Sequence, residues 1–533
     1  MIDNNVFANN VFVKNRFANK KTLSALVLTI LSSTFCFAQN NVPVGPGPRP
    51  PQAELALNGP TVTVEQGKLQ GGLIGDVAVF RGVPFAKAPI GDLRWREPEA
   101  PVKWNGTRAA NEFGASCREQ EDCLFLNIYT PANANKNSSL PVMMYIHGGG
   151  FAGGSGAGSD GTEFAKDGAV LVSINYRLGR AGWFAHPALT NENRDGLLGN
   201  YGLMDQIQAL KWIKNNIDNF GGNPNNVTIF GGSAGAISVN LLMLAPQARG
   251  LFHRAISQSG FGRLDMLPIR TNGDDLSMEK FGLEIAKNHG INGTDASALS
   301  ALRAIPLTEL NGPKSNVARE GRALPIIDGK LVASGMVEGF VQKREAPVPY
   351  MTGGNSDEAS LSRRGTNAQE VYDGIKEERT EFLSIFNSDH SEDIEQVVAR
   401  LITDQTISEP DRAMARAHAN NGYPAFVYHY SYVPKKDRDT VWGMRHGGET
   451  IYVFNIPPRD GLDAEGAALA KAAHSYWVNF GKNGDPGKVG NTVWPAFDLK
   501  NETVMVFPHS GIPQAEQHFH KNRLDWVESH LSQ

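Results

Sequence analysis

Ten consecutive residues constrain this chain more than any others: Val227-Thr228-Ile229-Phe230-Gly231-Gly232-Ser233-Ala234-Gly235-Ala236. They read as a buried strand, a Gly-x-Ser-x-Gly turn and the start of a helix. Such a turn forces its serine into a tight backbone conformation and lifts the hydroxyl above the sheet. Strand and helix can approach so closely only where the flanking residues are very small, and Gly231 and Gly235 meet that demand. Gly and Ser are common, so the pentapeptide alone says little. Between a strand signal and a helix signal it says much more.

The surrounding chain alternates strand and helix signals. Val142–Ile146 and Ala169–Ile174 are continuous apolar runs, expected of strands covered on both faces. Leu203, Ile207, Leu210, Ile213 and Ile217 recur at helical spacing and form one apolar stripe. That pattern stops at Phe220-Gly221-Gly222, a common helix end. The Asn226–Phe230 strand follows, then a helix from about Ala234 to Leu244 and a strand at Arg254–Ser257. This order predicts an α/β fold with a central, mostly parallel sheet flanked by helices. Residues 270–345 and 361–422 read as mostly helical, polar-rich insertions forming a cap or gorge wall. Two later strands are expected at Pro347–Met351 and Ala425–Tyr430. No internal repeat is present, and residues 61–533 are expected to form one catalytic domain.

The amino terminus reads as an export signal over residues 1–38. Lys14, Arg16, Lys20 and Lys21 precede an apolar run, Leu23–Leu31, that is short for a membrane span. Ala38-Gln39 is the expected cleavage point. A membrane anchor and a lipid-modified Cys36 are the alternatives. Residues 39–60 are a Pro-rich, flexible lead-in. The leader holds four basic residues and one acidic one, so its removal takes the net charge from −4 to −7. That balance argues against nucleic acid or an anionic membrane surface as partner, and no stable membrane insertion is expected. The product is expected to be periplasmic or extracellular. Cys117 and Cys123, the two cysteines left, read as a disulfide closing a short loop; two free thiols are the alternative. No metal-ligand spacing appears, and no cofactor is implied.

A serine hydroxyl needs a base to take its proton, usually His, and a carboxylate to orient that base. On this type of fold the chain order is Ser, acid, His, each on a loop after a strand. Downstream of Ser233, the strand at Met351 leads into Thr352-Gly353-Gly354-Asn355-Ser356-Asp357-Glu358, which offers two adjacent carboxylates. The strand at Tyr430 leads to Gly443-Met444-Arg445-His446-Gly447-Gly448-Glu449, which makes His446 the base candidate among 13 histidines. His429 and His474 fall inside a strand and a helix pattern. Donors for a developing oxyanion are expected from His147-Gly148-Gly149-Gly150-Phe151, where bare backbone follows a buried strand, and from the Ala234 N–H.

With these motifs go Phe80–Ala86, Gly91–Trp95, Glu121–Asn127, Asn175–Gly179, Asn200–Gln206 and Gln258-Ser259-Gly260. Together they make the chain resemble the type B carboxylesterase/lipase family, which has the α/β-hydrolase fold and includes the cholinesterases, over roughly residues 60–530. The resemblance implies Ser233 as nucleophile, His446 as base and Glu358 as acid. It also implies Gly149, Gly150 and Ala234 as oxyanion donors, Cys117–Cys123 as the family's N-terminal disulfide, and Ser259 as a serine supporting the acid. Three features depart from the family pattern. Gly232 stands where many members carry Glu beside the nucleophile, and Ala359 stands where Gly is usual. The loop between the cysteines has only five residues, too short for the Trp-bearing loop with which cholinesterases hold quaternary ammonium.

The resulting expectation is a secreted carboxylesterase acting on a small-molecule ester through an acyl-enzyme, closest to the bacterial para-nitrobenzyl esterases. A lipase, or a specialised hydrolase of a xenobiotic, toxin, carbamate or polyester, shares every motif. A non-catalytic binding protein on the same fold is the reading from another class.

Overall fold

The structure, a computed structural model, describes residues 55–531 apart from 194–195, 317–320, 388–392 and 459. The expected export signal, and the lead-in up to residue 54, lie outside the described residues. In chain order the strands are β1 (Thr61–Val64), β2 (Gly67–Gln70), β3 (Gly72–Ile74), β4 (Val77–Pro84), β5 (Thr107–Ala109), β6 (Phe125–Pro131), β7 (Leu140–Ile146), β8 (Val170–Ile174), β9 (Gly222–Gly232), β10 (Arg254–Gln258), β11 (Tyr350–Asn355), β12 (Ala425–Tyr430), β13 (Lys488–Val489), β14 (Thr492–Val493), β15 (Val504–Phe507) and β16 (Gln514–Glu516). Eleven of them form one sheet in the order β16-β15-β12-β11-β10-β9-β7-β8-β6-β4-β3. Neighbours from β8 to β15 are parallel, and the strands at both margins are antiparallel.

The apolar runs become central strands because both faces are covered. Val142, Met144 and Ile146 of β7 enter one core with Leu203, Leu210, Ile237 and Leu241. Met143 and Tyr145, pointing the other way, enter a second core with Phe454 and Trp477. Alternate residues of one strand thus serve two helical layers. Helices Tyr201–Asn216 and Ala234–Leu244 cover the first face, and helix Ala464–Asn483 covers the second. The first helix tightens into a 3₁₀ turn at Ile217–Phe220 and stops at Gly221, which is left-handed with φ 84°. Between β10 and β11, among the described residues, come the α-helices Met278–Asn288, Ala296–Arg303, Leu307–Leu310 and Met336–Val341. Between β11 and β12 come Ala368–Ile375, Arg379–Phe386, Ile394–Thr403 and Glu409–Asn420.

Three local expectations are corrected. β11 starts at Tyr350 rather than Pro347 and continues to Asn355. The stretch Thr352–Asn355 is therefore strand, not loop. Its two glycines allow close neighbours: a Cβ on Gly353 would lie 2.2 Å from Tyr428 O, and one on Gly354 would lie 2.3 Å from Ile407 Cγ2. The lead-in ends earlier than residue 60, since Ala56 already pairs with Leu73. Thr61–Val64 is an edge strand of a separate three-stranded sheet, β1-β2-β5.

The parallel strands end in register. Ile146 lies opposite Gly231, Gly232 opposite Gln258, and Gln258 opposite Gly353. The loops after β7, β9, β10 and β11 therefore open on one rim of the sheet, as ligand-binding loops of parallel sheets do. The turn after β9 is held by one contact point. A Cβ on Gly235 would lie 2.0 Å from Ile146 O, and one on Gly231 would lie 2.5 Å from the same oxygen. A Cβ on Gly232 would meet only Gln258 O, at 3.9 Å.

Gly235→Ala should therefore cost about 3 kcal/mol or more, at the upper end of overpacking penalties, because backbone and not a mobile side chain blocks the new methyl. Gly232→Ala should cost far less. Thermal unfolding of the two variants side by side measures the difference.

Candidate active site

Ser233 occupies the turn with φ 58° and ψ −123°, a strained conformation for a residue with a side chain. Its N–H donates to Gln258 O at 2.9 Å, and its own carbonyl accepts from Ile237 N at 3.0 Å, starting helix Ala234–Leu244. The residue is partly exposed although the strand and helix beside it are buried.

The glycine run after β7 lies against this turn. A Cβ on Gly148 would sit 2.7 Å from Gly232 O and 3.1 Å from Ser233 Cβ. Gly149 and Gly150 have φ of 113° and 61°, values that favour glycine. The loop folds onto itself through Ala152 N and Gly153 N, which donate to Gly149 O. Its stem is braced by His147. The ring stacks on Tyr176 with centroids 4.5 Å apart, and the Tyr176 hydroxyl donates to His147 O at 2.8 Å. His147 Nδ1 lies 2.8 Å from Gly148 O, which can only accept, so the proton belongs on Nδ1. Burial lowers this imidazole to about 4 and keeps it neutral. Among the described residues, the N–H groups of Gly149, Gly150 and Ala234 have no protein acceptor.

The two candidate carboxylates part company. Glu358 opens a 3₁₀ turn on the loop after β11 and is 1% exposed. Its Oε1 accepts from Ser259 Oγ at 2.6 Å and from Asn355 N at 2.7 Å. Its Oε2 accepts from His446 Nδ1. Asp357 faces away and binds the Arg363 guanidinium. Because Nδ1–H is donated to Glu358, Nε2 of His446 carries the lone pair; it is buried and, among the described residues, has no hydrogen-bond partner. Ser233 and His446 are not hydrogen-bonded to each other, as is common in acyl-transfer sites before substrate arrives. His429 and His474 lie within β12 and helix Ala464–Asn483 and take no part in this group. Cys117 and Cys123 form a disulfide with Cα atoms 5.0 Å apart.

Burial would pull the His446 imidazole down. The charge of Glu358, its hydrogen bond and the charge of Glu449 outweigh that and leave it above its usual value of 6.5. Glu449 is a third carboxylate that sequence reasoning did not single out as a site residue. It is fully buried and accepts from Gln258 Nε2 at 3.1 Å and Asn355 Nδ2 at 2.5 Å. Burial first, and then the charge of Glu358, raise its carboxyl above the usual range. Asn355 thus reaches Glu358 through its backbone and Glu449 through its side chain. Gln258 links Ser233 and Glu449 in the same manner. Both residues, and Glu449, sit in stretches already marked by their neighbours; only the sheet register reveals that they meet.

Ser233, the glycine run after β7 and the buried Glu358–His446 pair thus all stand on loops that follow strands of the parallel sheet. The profile of the Carboxylesterase family matches residues 58–385 and 366–527. A protein of Sphingopyxis macrogoltabida described as fumonisin B1 esterase is 35% identical over 473 residues, covering 82% of this chain and 84% of that protein. Liver carboxylesterase 1 of Oryctolagus cuniculus is 32% identical over 517 residues, covering 84% and 89%. Among solved structures, a Geobacillus stearothermophilus carboxylesterase superposes with a TM-score of 0.75 at 31% identity, covering 87% of this chain and 99% of that one. A structure described as PNB esterase gives 0.73 at 26% identity, covering 87% and 99%. The chain belongs to the Carboxylesterase family. It is a carboxylic ester hydrolase with the α/β-hydrolase fold.

Glu358→Gln removes the carboxylate whose charge acts more strongly on His446 and replaces its charged acceptor by a neutral one. The imidazole pKa should then fall below the wild-type value, which NMR titration of histidine-labelled protein would read.

Proposed function

We propose that this chain is an exported serine carboxylesterase in which Ser233, His446 and Glu358 form the catalytic triad. Ser233 Oγ attacks the ester carbonyl while His446 Nε2 takes its proton. The carbonyl oxygen gathers charge opposite the N–H groups of Gly149, Gly150 and Ala234. The tetrahedral adduct collapses to an acyl-serine, and Nε2 returns the proton to the departing alcohol. Water then repeats the sequence, with Nε2 again as base, and releases the acid and Ser233. Glu358 holds the ring in the Nδ1–H tautomer and balances the imidazolium without taking the proton.

The observation that carries this reading is the pairing of Glu358 Oε2 with His446 Nδ1, which leaves Nε2 as the free base on the rim that bears Ser233. Export rests on the basic and apolar leader alone. The substrate class is a small-molecule carboxylic ester. A lipase, or a specialised xenobiotic or toxin-ester hydrolase, would use the same residues. The 35% identity with a fumonisin B1 esterase favours testing fumonisin B1 as a substrate. Among the described residues, no helix is long and apolar enough to cross a membrane.

Initial rates on p-nitrophenyl esters from acetate to palmitate, beside mass-spectrometric assay of fumonisin B1, separate these substrates. Ser233→Ala should reduce every rate to background and abolish labelling by a serine-directed phosphonate. Glu358→Ala should retain more activity than Ser233→Ala, because the acid makes no bond to substrate. Asp357→Ala should keep most activity, since its carboxylate serves Arg363; a dead Asp357→Ala beside an active Glu358→Ala would reverse the acid assignment.

The base must be neutral to act, so kcat/KM should rise with pH through the free-enzyme pKa of His446. That pKa lies above 6.5, and the half-maximal point of the acid limb should lie above pH 6.5 too.

A further inference from the structure

The loop that carries His446 is fastened to the loop that carries Glu358 by hydroxyls of the acid's own loop. Met444 N donates to Ser356 Oγ at 2.9 Å, and Asp357 N donates to Met444 O at 2.9 Å. His446 N donates to Ser360 Oγ at 3.0 Å. Ser360 Oγ gives its own proton to Asp357 O at 2.6 Å, which leaves its lone pairs for His446 N–H. Gly443 lets the loops touch: a Cβ there would lie 2.5 Å from Ser356 Oγ and 3.2 Å from Asp357 Cβ. On the outer side Arg363 holds the Asp357 carboxylate and lies 4.2 Å over the Trp442 ring, one residue before Gly443.

These contacts restrain the chain at 443–446, upstream of the imidazole. Downstream stand Gly447, with φ 72°, and Gly448, which bring no side chain to anchor the loop. The serine hydroxyls touch neither the Glu358 carboxylate nor the His446 ring. They act on where the backbone of the histidine begins.

We propose that Ser360 and Ser356 are positioning residues for the base. They fix the His446 backbone relative to the acid, so that Nδ1 stays on Glu358 Oε2 while Nε2 keeps its aim. This rests on the triad reading above. Ser360 carries the larger share because it alone contacts His446 directly. Loss of its hydroxyl leaves the His446 N–H without its acceptor and lets the ring drift, and displacements near 1 Å cost up to about 100-fold in rate.

The test compares the full chain with Ser360→Ala, Ser356→Ala, the double alanine variant and Ser360→Thr, measuring kcat and KM on p-nitrophenyl acetate alongside thermal unfolding. Ser360→Ala should lower kcat about tenfold with KM within about twofold, and the double variant should lower kcat further. Ser360→Thr keeps a hydroxyl and should recover most of the loss. A double variant with kcat within twofold of the wild type overturns the proposal. So does a loss confined to KM, or a threonine variant as impaired as the alanine one while equally stable. Should Ser360→Ala unfold, Ser356→Ala and Ser360→Thr decide between the outcomes by the same criteria. A wild-type chain that turns over no ester and resists the phosphonate overturns the proposed function and this inference with it. An active wild type with unaffected variants overturns the inference alone.

Discussion

One carbonyl oxygen, that of Ile146 at the end of β7, is the point on which the site is built. Both glycines of the Gly-x-Ser-x-Gly turn pack against it so closely that neither tolerates a methyl group. The strand that leads into Ser233 is thereby locked to the strand that leads into the glycine run. Ser233 and Gly148 become neighbours without any side chain of their own attracting them. Close packing transmits that constraint because the surrounding core has no slack to absorb a shift. The strained Ser233 backbone persists for the same reason: the elements on either side of it, buried in the first core, over-determine its conformation.

Charge is arranged on a second principle. Glu358 and Glu449 are both buried, and among the described residues neither is paired with Lys or Arg. A buried carboxylate is costly unless its lone pairs are filled. Ser259 and Asn355 fill those of Glu358, and Gln258 and Asn355 fill those of Glu449. The cation available to this pair is the imidazolium of His446, which exists only when Nε2 holds a proton. In the proposed mechanism that is the moment when the tetrahedral adduct carries its negative charge. The two carboxylates favour the imidazolium whenever Nε2 is protonated, at rest below the His446 pKa as well as beside the adduct. Such a group is better understood as directional than as stabilising, since a buried pair seldom repays its desolvation.

Much of this was legible from residue order. Val142–Ile146 reads as a doubly covered strand because it lacks polar residues, and the turn at Ser233 reads as an elbow because Gly231 and Gly235 flank it. The helix stripe from Leu203 to Ile217 follows from spacing alone. At Thr352–Asn355, where the sequence reading placed a loop, glycine was the cause. Gly353 and Gly354 suggest a loop by composition, yet they are strand residues made small for Tyr428 and Ile407. The choice between Asp357 and Glu358 was open on the residues themselves, because adjacent positions differ only in the direction their side chains leave the backbone. Glu449, Asn355, Ser356 and Ser360 carried no signal of their own. Polar residues in loops are ordinary until a second loop is known to lie beside them.

The sequence by itself determined the layers, the elbow and the three kinds of side chain that acyl transfer requires, because periodicity, glycine spacing and chain order are local properties. Only the tertiary structure decided which carboxylate meets His446, which nitrogen of that ring is left free, and which polar side chains steady them. Those outcomes depend on strand register and on loops brought together from positions about 90 residues apart in the chain. No local pattern encodes such distances, and a shift of one residue along β11 would send a different carboxylate inward.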